Sequence, residues 1–325
     1  MIRILVVGAG QIGSRHLQGL ARYDAPAEIH VVDPSEESLK TAIERYKEIS
    51  PKSSASELVL HRSLEGISDS YDVALITTDS KPRKEIIEKL LSITSCENLI
   101  LEKFLFTKID DYNFIEKLLQ QHAVKCWVNT ARRLNPFYQQ LPLLFQSSNH
   151  IHFRVSGSDW GLGCNGIHFM DLFIMICGQH GLRLDTSLVD SEMIVSKRPG
   201  YIEFTGTLLG KDSNFNSIEI TSYAGGNAPV QVEISDKYRR IVIHERLGKV
   251  FIRDEKSGWD EYQTEFRLVP QSELTHLVIK EIIKSGKSSL PTYGDSSKLH
   301  IAFLQSFIDF MNQSTANKIN ECLLT

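Results

Sequence analysis

Cysteine is scarce in this sequence, and its spacing is not that of a disulfide framework. The 325 residues include five cysteines, an odd number, and the chain contains no C-x-x-C motif. Secreted scaffolds use paired cysteines in larger numbers, so this usage does not predict a disulfide-bonded extracellular protein. It fits the reducing cytosol, and we expect a cytoplasmic protein.

Long apolar runs and blocks of like charge are also missing. The longest apolar run, Phe169–Cys177, is too short to cross a bilayer. The 36 basic and 40 acidic residues give a net charge of −4 and are mixed along the chain. We therefore expect neither membrane association nor nucleic-acid binding. The opening residues, MIRILVVGAG, are typical of a strand and a turn rather than of a secretory signal.

The first part of the chain alternates between strand and helix patterns. IRILVVG is a β-branched run typical of a strand buried on both faces, and QIGSRHLQGLARY follows it with helical spacing. Further strand patterns are EIHVVD, a weaker one near LVLH, YDVALITT, NLILEK and KCWVNTA. This α/β alternation predicts a doubly wound parallel sheet over residues 1–125.

From about residue 126 the pattern changes, which predicts a second α/β domain over residues 126–325. Strand patterns follow one another between residues 182 and 265, and several alternate apolar with polar side chains. The alternation predicts a large, mostly antiparallel sheet with one face exposed to solvent. Helices are predicted at Pro136–Phe145, Asn165–Cys177, Ser272–Ser285 and Gly294–Met311.

Gly8, Gly10 and Gly13 form a G-x-G-x-x-G motif between the first strand and the first helix. The first glycine permits a tight turn, the second lets the backbone approach a pyrophosphate, and the third lets the helix pack close to the strand. Gln11 and Ile12 lie within the motif, where the helix N-terminus offers N–H groups and the positive end of its dipole. The motif therefore predicts a dinucleotide site.

Asp33 ends the second predicted strand, 20 residues after Gly13. A carboxylate there can accept hydrogen bonds from both ribose hydroxyls of an adenosine. The residues that follow, PSEES, contain no arginine to neutralise a 2′-phosphate. The pattern predicts NAD as the cofactor and favours it over NADP.

Several short motifs occur in an order typical of one enzyme family. GAGQIGSRH is followed by Asp33, LITT, LEK, RLNP and GIHFMD. Together they resemble the Gfo/Idh/MocA family of nicotinamide oxidoreductases, which includes glucose–fructose oxidoreductase and inositol 2-dehydrogenase. The resemblance extends over about residues 1–310. It implies an N-terminal Rossmann domain and a C-terminal domain whose open sheet face forms a homodimer or homotetramer interface.

Lys103 and His168 are the candidate catalytic residues. Lys103 follows the fifth predicted strand, at the edge of the sheet where ligands bind, and its charge can stabilise a developing alkoxide. The resemblance implies that it is the family's catalytic lysine, and that His168 handles the substrate proton. In a helix that begins near Asn165, His168 would lie in the first turn. A buried structural histidine is the alternative.

The resemblance implies further contacts with cofactor and substrate. The cofactor site would also include Thr77, Thr78 and Glu102. The substrate site would include Arg133, Trp160, Asn165 and Asp171. Alternatives stay open for three of these: an interdomain salt bridge for Arg133, simple packing for Trp160, and a surface or interdomain acid for Asp171.

Two positions depart from the family pattern. Cys164 stands where many members have an aspartate four residues before the histidine, and Phe104 replaces the proline of the family's E-K-P. These changes put the family's standard polyol mechanism in question, because they alter the partner of the histidine and the setting of the lysine. A metal held by Cys164, His168 and Asp171 has no evident fourth ligand, so we predict no metal site.

The motifs together predict an NAD(H)-dependent dehydrogenase or reductase that acts on CH–OH groups. It would transfer a hydride between nicotinamide and a hydroxyl or keto carbon of a sugar or sugar nucleotide. The alternatives are a reductase of a non-sugar acceptor and a non-catalytic NAD-binding sensor or partner subunit. The joint presence of Lys103 and His168 favours an enzyme.

Overall fold

The computed structural model describes residues 1–50, 52–53, 56–67, 70–313 and 318–325, which divide into two compact units. The first unit comprises Met1–Ala131 and Val269–Ser297, and the second comprises Arg132–Leu268 and Lys298–Thr325. This division differs from the predicted one between residues 125 and 126. The last strand of the first sheet begins at Lys125, and a later segment returns to the first unit.

A parallel sheet forms the centre of the first unit. Its strands are β1 (Ile2–Val7), β2 (Ala27–Val32), β3 (Glu57–His61), β4 (Tyr71–Ile76), β5 (Cys96–Glu102) and β6 (Lys125–Asn129). They lie in the order β3-β2-β1-β4-β5-β6, and neighbouring strands are parallel. Ile4, Leu5 and Val6 are fully buried, as expected for a strand covered on both faces. The predicted doubly wound sheet is confirmed, and its carboxyl ends share one edge.

The described part of the chain contains eight α-helices. They are α1 (Gln11–Leu20), α2 (Glu36–Glu48), α3 (Ser80–Ile93), α4 (Ile109–Gln121), α5 (Leu141–Phe145), α6 (Leu162–Cys177), α7 (Thr275–Ser285) and α8 (Tyr293–Gln313). α7 packs against α1 in the first unit. Gly19 on α1 permits this approach, because a Cβ at that position would lie 3.0 Å from the side chain of Thr275.

A mixed sheet forms the second unit. Its strands are β7 (His152–Ser158), β8 (Arg183–Val189), β11 (Gly206–Lys211), β12 (Ser217–Tyr223), β13 (Gln231–Ser235), β14 (Arg239–His244), β15 (Lys249–Asp254) and β16 (Tyr262–Glu265). They lie in the order β16-β15-β14-β13-β7-β12-β11-β8, and every neighbouring pair except β7–β12 is antiparallel. Alternate residues such as Ile218 and Ile220 are buried, so the predicted one-sided sheet is confirmed.

Two local differences from the predicted elements affect the site. The run YIEFTGTLL is not one strand: it divides into β10 (Ile202–Glu203), which pairs with β9 (Ile194–Val195), and β11. The break falls before Gly206, whose φ of +89° is disfavoured for other residues. Helix α6 begins at Leu162 rather than near Asn165.

Candidate functional site

The glycine turn after β1 is packed as tightly as the motif requires. Gly8 has a φ of +99°, and a Cβ at Gly13 would lie only 1.9 Å from the Gly8 carbonyl oxygen. The Thr77 hydroxyl donates to the same oxygen at 2.6 Å and to the Val7 oxygen at 3.0 Å. Thr77 therefore fixes the turn to β4. Gly8 and Gly13 are required by the fold itself.

The N-terminus of α1 has the properties of an anion-binding end. The helix begins at Gln11, no side chain of the described residues caps it, and a Cβ at Gly10 would meet no protein atom within 4 Å. Gln11 is exposed and Ile12 is half-buried. The Arg45 guanidinium donates to the Gln11 side-chain oxygen at 2.8 Å, which brings a positive charge to this end. Amide groups, dipole and cation all favour a phosphate here.

Asp33 follows β2 and braces the turn with both carboxylate oxygens. Its Oδ2 accepts from the Ala9 amide at 2.7 Å, and its Oδ1 accepts from the Ser35 amide at 2.8 Å. Each oxygen has a second lone pair for a ribose hydroxyl. The PSEES segment contains no basic residue, but the structure places one beside it. Arg62, directly after β3, donates a hydrogen bond to the Pro34 oxygen at 2.7 Å and forms a salt bridge with Glu36 at 3.2 Å.

A buried polar network lies at the end of β5 and β6. His16 Nε2 is 2.8 Å from Glu102 Oε1, and the Asn129 amide donates to the same oxygen. His16 Nδ1 is 3.0 Å from the Thr275 hydroxyl, so the returning segment orients the ring. Burial alone raises the pKa of Glu102, but His16, Asn129 and the charge of Lys103 together lower it below its ordinary value of 4.5. Glu102 is therefore a carboxylate at neutral pH, serving as a support beside the lysine.

Lys103 directly follows this network and is half-buried at the carboxyl edge of the sheet. The peptide bond between Lys103 and Phe104 is cis. Two hydroxyls at this edge are candidates for contacts with a bound molecule: Thr78 Oγ1 and Thr130 Oγ1 are buried and have no hydrogen-bond partner among the described residues. Thr130 was not predicted as a site residue, although its place directly after β6 is a signal that could have found it.

In the second unit, His168 lies half-buried on α6. Because the helix begins three residues before the predicted start, His168 lies in the second turn and not the first. The carboxylate of Glu203 explains the earlier start, since it accepts hydrogen bonds from the amides of Gly163 and Cys164. Glu203 is buried and also accepts from the Phe204 amide at 2.9 Å. No local sequence pattern identifies Glu203 as the cap of a helix 40 residues earlier in the chain.

A cavity of about 450 Å³ lies at this end of α6 and brings several predicted residues together. Trp160, Cys164 and Asn165 line it, with Val195 and Ser222 on other sides. His168 lies about one turn further along α6 and is not among the residues that line the cavity. The Trp160 indole donates to the Thr221 oxygen at 2.8 Å, and Asn165 donates to the Trp160 oxygen at 2.7 Å, so both side chains are held in place.

Polar atoms converge on one point of the cavity wall, at Gly161. A Cβ there would lie 2.8 Å from Glu203 Oε2, 3.1 Å from Cys164 Sγ and 3.3 Å from Asn165 Nδ2. Ser222 is fully buried, and its hydroxyl has no hydrogen-bond partner among the described residues. The cavity therefore offers hydrogen-bonding groups beside the apolar surfaces of Trp160 and Val195.

The remaining predicted pair lies elsewhere in the second unit. Arg133 donates to both oxygens of Asp171, at 2.7 and 2.8 Å, and Asp171 is buried. Both residues belong to the second unit, so this is a salt bridge within a unit and not between domains. Within the described residues, no group of three His, Cys, Asp or Glu side chains is arranged to hold a metal ion.

Comparisons with known proteins agree with this geometry. Residues 2–130 match the family model described as "Oxidoreductase family, NAD-binding Rossmann fold", GFO_IDH_MocA. No curated protein matches the chain in sequence. In the described residues, no helix is both long and apolar enough to span a membrane.

Three solved structures share the fold along nearly the whole chain. An oxidoreductase from Agrobacterium radiobacter in complex with NAD+, L-tartaric acid and magnesium has 13% identity and a TM-score of 0.75, covering 97% of this chain and 98% of that one. UDP-N-acetylglucosamine 3-dehydrogenase GnnA from Acidithiobacillus ferrooxidans has 14% identity and a TM-score of 0.69, covering 94% and 96%. The transcriptional regulator Gal80p from Kluyveromyces lactis has 14% identity and a TM-score of 0.71, covering 97% and 94%.

Such low identities establish the fold and leave the substrate open. The family match also bears on cofactor binding, because the matched residues belong to the unit that contains the glycine turn, Asp33 and Lys103. The match shows that residues 2–130 are similar to the NAD-binding Rossmann fold of the Gfo/Idh/MocA oxidoreductase family.

Proposed function

We propose that the protein is an NAD(H)-dependent oxidoreductase acting on a hydroxyl or keto carbon of a neutral sugar or of the sugar ring of a sugar nucleotide. One observation carries this proposal: a half-buried lysine follows an ionised, buried Glu102 at the ligand-binding edge of an NAD-type sheet. A domain that only bound the dinucleotide would have no need of this arrangement. Perturbed, partly buried charges at such an edge are typical of catalytic sites.

The residues of the first unit fit the dinucleotide. The pyrophosphate would meet the amides of Gly10, Gln11 and Ile12, and the adenosine ribose would meet Asp33. The Thr78 hydroxyl, buried and without a partner among the described residues, is suited to a polar group of the cofactor. When bound, the nicotinamide supplies the two-electron acceptor or donor that the side chains lack.

Lys103 and His168 would manage charge and protons on the substrate. The Lys103 Nζ would stabilise the negative charge that develops on the substrate oxygen. A ring nitrogen of His168 would accept the hydroxyl proton in oxidation and return it in reduction. Glu102 would act by holding the backbone before Lys103 and by balancing its charge.

The cavity at the head of α6 would hold the substrate ring. The Trp160 indole and Val195 suit the apolar C–H face of a pyranose or cyclitol, and the Ser222 hydroxyl would pair with a ring hydroxyl. The Glu203 carboxylate already occupies the N-terminus of α6, and Glu203 and Asp159 outnumber Lys197, the one Lys or Arg among the lining residues, so an anionic group would meet net negative charge there instead of free amides. We therefore propose a neutral ring in this cavity.

A second candidate is a nucleotide-sensing regulator. The observation that favours it is Cys164, at the position where many family members carry an aspartate, together with the fold shared with the transcriptional regulator Gal80p. A thiol cannot replace a carboxylate as a hydrogen-bonded partner of the histidine. A protein that binds NAD tightly and turns over no substrate would fit this regulatory function.

We also propose that the protein works in the cytoplasm as a homodimer or homotetramer. All five cysteines are free thiols, in keeping with a reducing compartment. The open face of the second sheet carries half-buried Leu209, Val242 and Phe251 among charged side chains, a composition suited to an interface between copies. Sedimentation velocity of the wild type and of Val242→Glu tests this: the wild type should be oligomeric and the variant smaller.

A substrate screen tests the proposed function. The purified protein is mixed with NAD and with polyols, aldoses or sugar nucleotides, and NADH formation is measured. Phosphorylated and carboxylated sugars are included as the anionic counterparts of the neutral sugars. We expect turnover with a neutral ring and its loss in His168→Ala. The matched control is His152→Ala, which removes an exposed histidine of β7 and should leave turnover unchanged.

The outcomes separate the two candidates. NAD binding without turnover of any compound would favour the regulator. Faster turnover of an anionic sugar than of its neutral counterpart would contradict the assignment of the cavity. Ser222→Val, which fills the site of the hydroxyl, should raise KM for the neutral ring and leave NAD affinity unchanged.

A further inference from the structure

Arg83 is a charged side chain buried in the interior of the first unit. It lies on α3, is 1% exposed, and is among the largest fully buried side chains of the described residues. A guanidinium is charged at all accessible pH values, and its burial is costly unless its N–H groups are hydrogen-bonded. Its partners therefore indicate what it does.

The guanidinium bridges two loops at the carboxyl edge of the sheet. Nη1 donates to the carbonyl oxygens of Phe104 and Leu105, the latter at 3.0 Å. Nη2 donates to the carbonyl oxygen of Thr78. Thr78 follows β4, whereas Phe104 and Leu105 follow β5. One side chain thus ties the segment after β4 to the segment that begins with Lys103.

We propose that Arg83 is a positioning residue that sets the location of Lys103 relative to the cofactor edge. This inference rests on the proposed function for its catalytic consequence, since Lys103 is there the group that stabilises the substrate oxygen. Arg83 is buried, and these hydrogen bonds go only to main-chain carbonyl oxygens. It therefore acts through Lys103 and Thr78 and not on the substrate.

The geometry requires arginine in particular. Three carbonyl oxygens in two segments need donors in fixed directions, which the planar fork of a guanidinium provides. A lysine at the same place would bring the charge but only a single nitrogen. The loop would then lose a fixed partner, and a displacement of about 1 Å in the lysine can cost roughly 100-fold in rate.

The test compares Arg83→Lys and Arg83→Met with the wild type. For each we would measure hydrogen exchange of the peptides covering residues 77–80 and 103–107, NAD affinity, and kcat and KM with the best substrate of the screen. We expect faster exchange in both peptides, a kcat lower by about 10- to 100-fold, a smaller loss of NAD affinity because the Thr78 segment also loosens, and a KM within about 3-fold of wild type. Arg83→Lys, the conservative variant, should retain more activity than Arg83→Met.

A control separates positioning from general destabilisation. Ile87→Ala removes a fully buried side chain one turn further along α3, and it should lower thermal stability while leaving exchange of the two loop peptides and kcat close to wild type. If Ile87→Ala lowers kcat as much as Arg83→Lys at equal thermal stability, Arg83 is only structural and the inference is wrong. Unchanged exchange at residues 103–107 in Arg83→Met would also overturn it.

The two proposals can fail separately. If the wild type turns over nothing, the proposed function fails, and hydrogen exchange still decides whether Arg83 holds the two loops together. If the wild type is active and the Arg83 variants match it in kcat, the inference fails and the proposed function stands.

Discussion

Gly10 and Gly13 differ in what surrounds them, although both belong to the same motif. A Cβ at Gly13 would overlap the Gly8 carbonyl oxygen, whereas a Cβ at Gly10 would meet no protein atom within 4 Å. The fold therefore requires Gly13. It does not require Gly10, so any loss of NAD affinity caused by a side chain there must come from its contact with the bound molecule.

This contrast gives a paired prediction. Gly13→Ala should lower the free energy of unfolding by about 2 kcal/mol or more through overpacking, and NAD binding should be lost with it. Gly10→Ala should keep the thermal stability of the wild type and weaken NAD binding by about tenfold, which corresponds to roughly 1.4 kcal/mol. Thermal unfolding and calorimetric titration measure both. Normal NAD affinity in Gly10→Ala would show that the pyrophosphate does not approach this turn.

Glu102 gives the first unit a pH-dependent contribution to stability. Its folded-state pKa is lowered below the ordinary value of 4.5, so the unfolded chain binds its proton first as the pH falls. The stabilisation is therefore complete above pH 4.5 and is lost as the pH falls through the lower folded-state value.

Glu102→Gln should accordingly reduce the free energy of unfolding at neutral pH by about 1–3 kcal/mol and make its decline in acid shallower. Glu97→Gln, an exposed change on the same strand, is the matched control and should change neither. Denaturant titrations between neutral and acidic pH measure the effect. Equal acid slopes for Glu102→Gln and the wild type would contradict the assigned pKa direction.

At the scale of elements, α6 shows how a distant residue sets a helix boundary. The sequence pattern predicts the apolar run that ends at Cys177, because its periodicity is local. The beginning depends on Glu203, a residue of β10, and on Gly161, whose φ of +83° lets the chain enter the helix. The predicted start near Asn165 is wrong for this reason, and His168 consequently lies in the second turn of α6 instead of the first.

The cap can be tested directly. Glu203→Ala would leave the buried amides of Gly163 and Cys164 without their acceptor, and we expect the free energy of unfolding to fall by about 2 kcal/mol. Hydrogen exchange in residues 162–166 should become faster. Glu192→Ala, an exposed acid nearby in sequence, serves as the control. Unchanged exchange at the start of α6 would show that Glu203 does not hold the helix N-terminus.

At the scale of the whole molecule, the sequence predicts those features that depend on neighbouring residues. The order of strands and helices, the glycine turn and the placement of Asp33 and Lys103 at strand ends all follow from local pattern and from the geometry of parallel sheets. The return of Val269–Ser297 to the first unit does not, because it depends on packing between α1 and α7 at Gly19 and Thr275. Arg83 and Ser222 were likewise missed, since their roles depend on atoms far away in the chain.

The most direct measurement is the rate of NADH formation by the wild type and by Lys103→Met, each saturated with NAD and supplied with the neutral substrate found in the screen. Lys108→Met, an exposed lysine five residues later, is the control. We predict that Lys103→Met binds NAD like the wild type and loses about 10²- to 10⁴-fold in rate, while the control keeps its activity. Equal rates for Lys103→Met and the wild type, or a wild type that binds NAD and forms no NADH, would contradict the account.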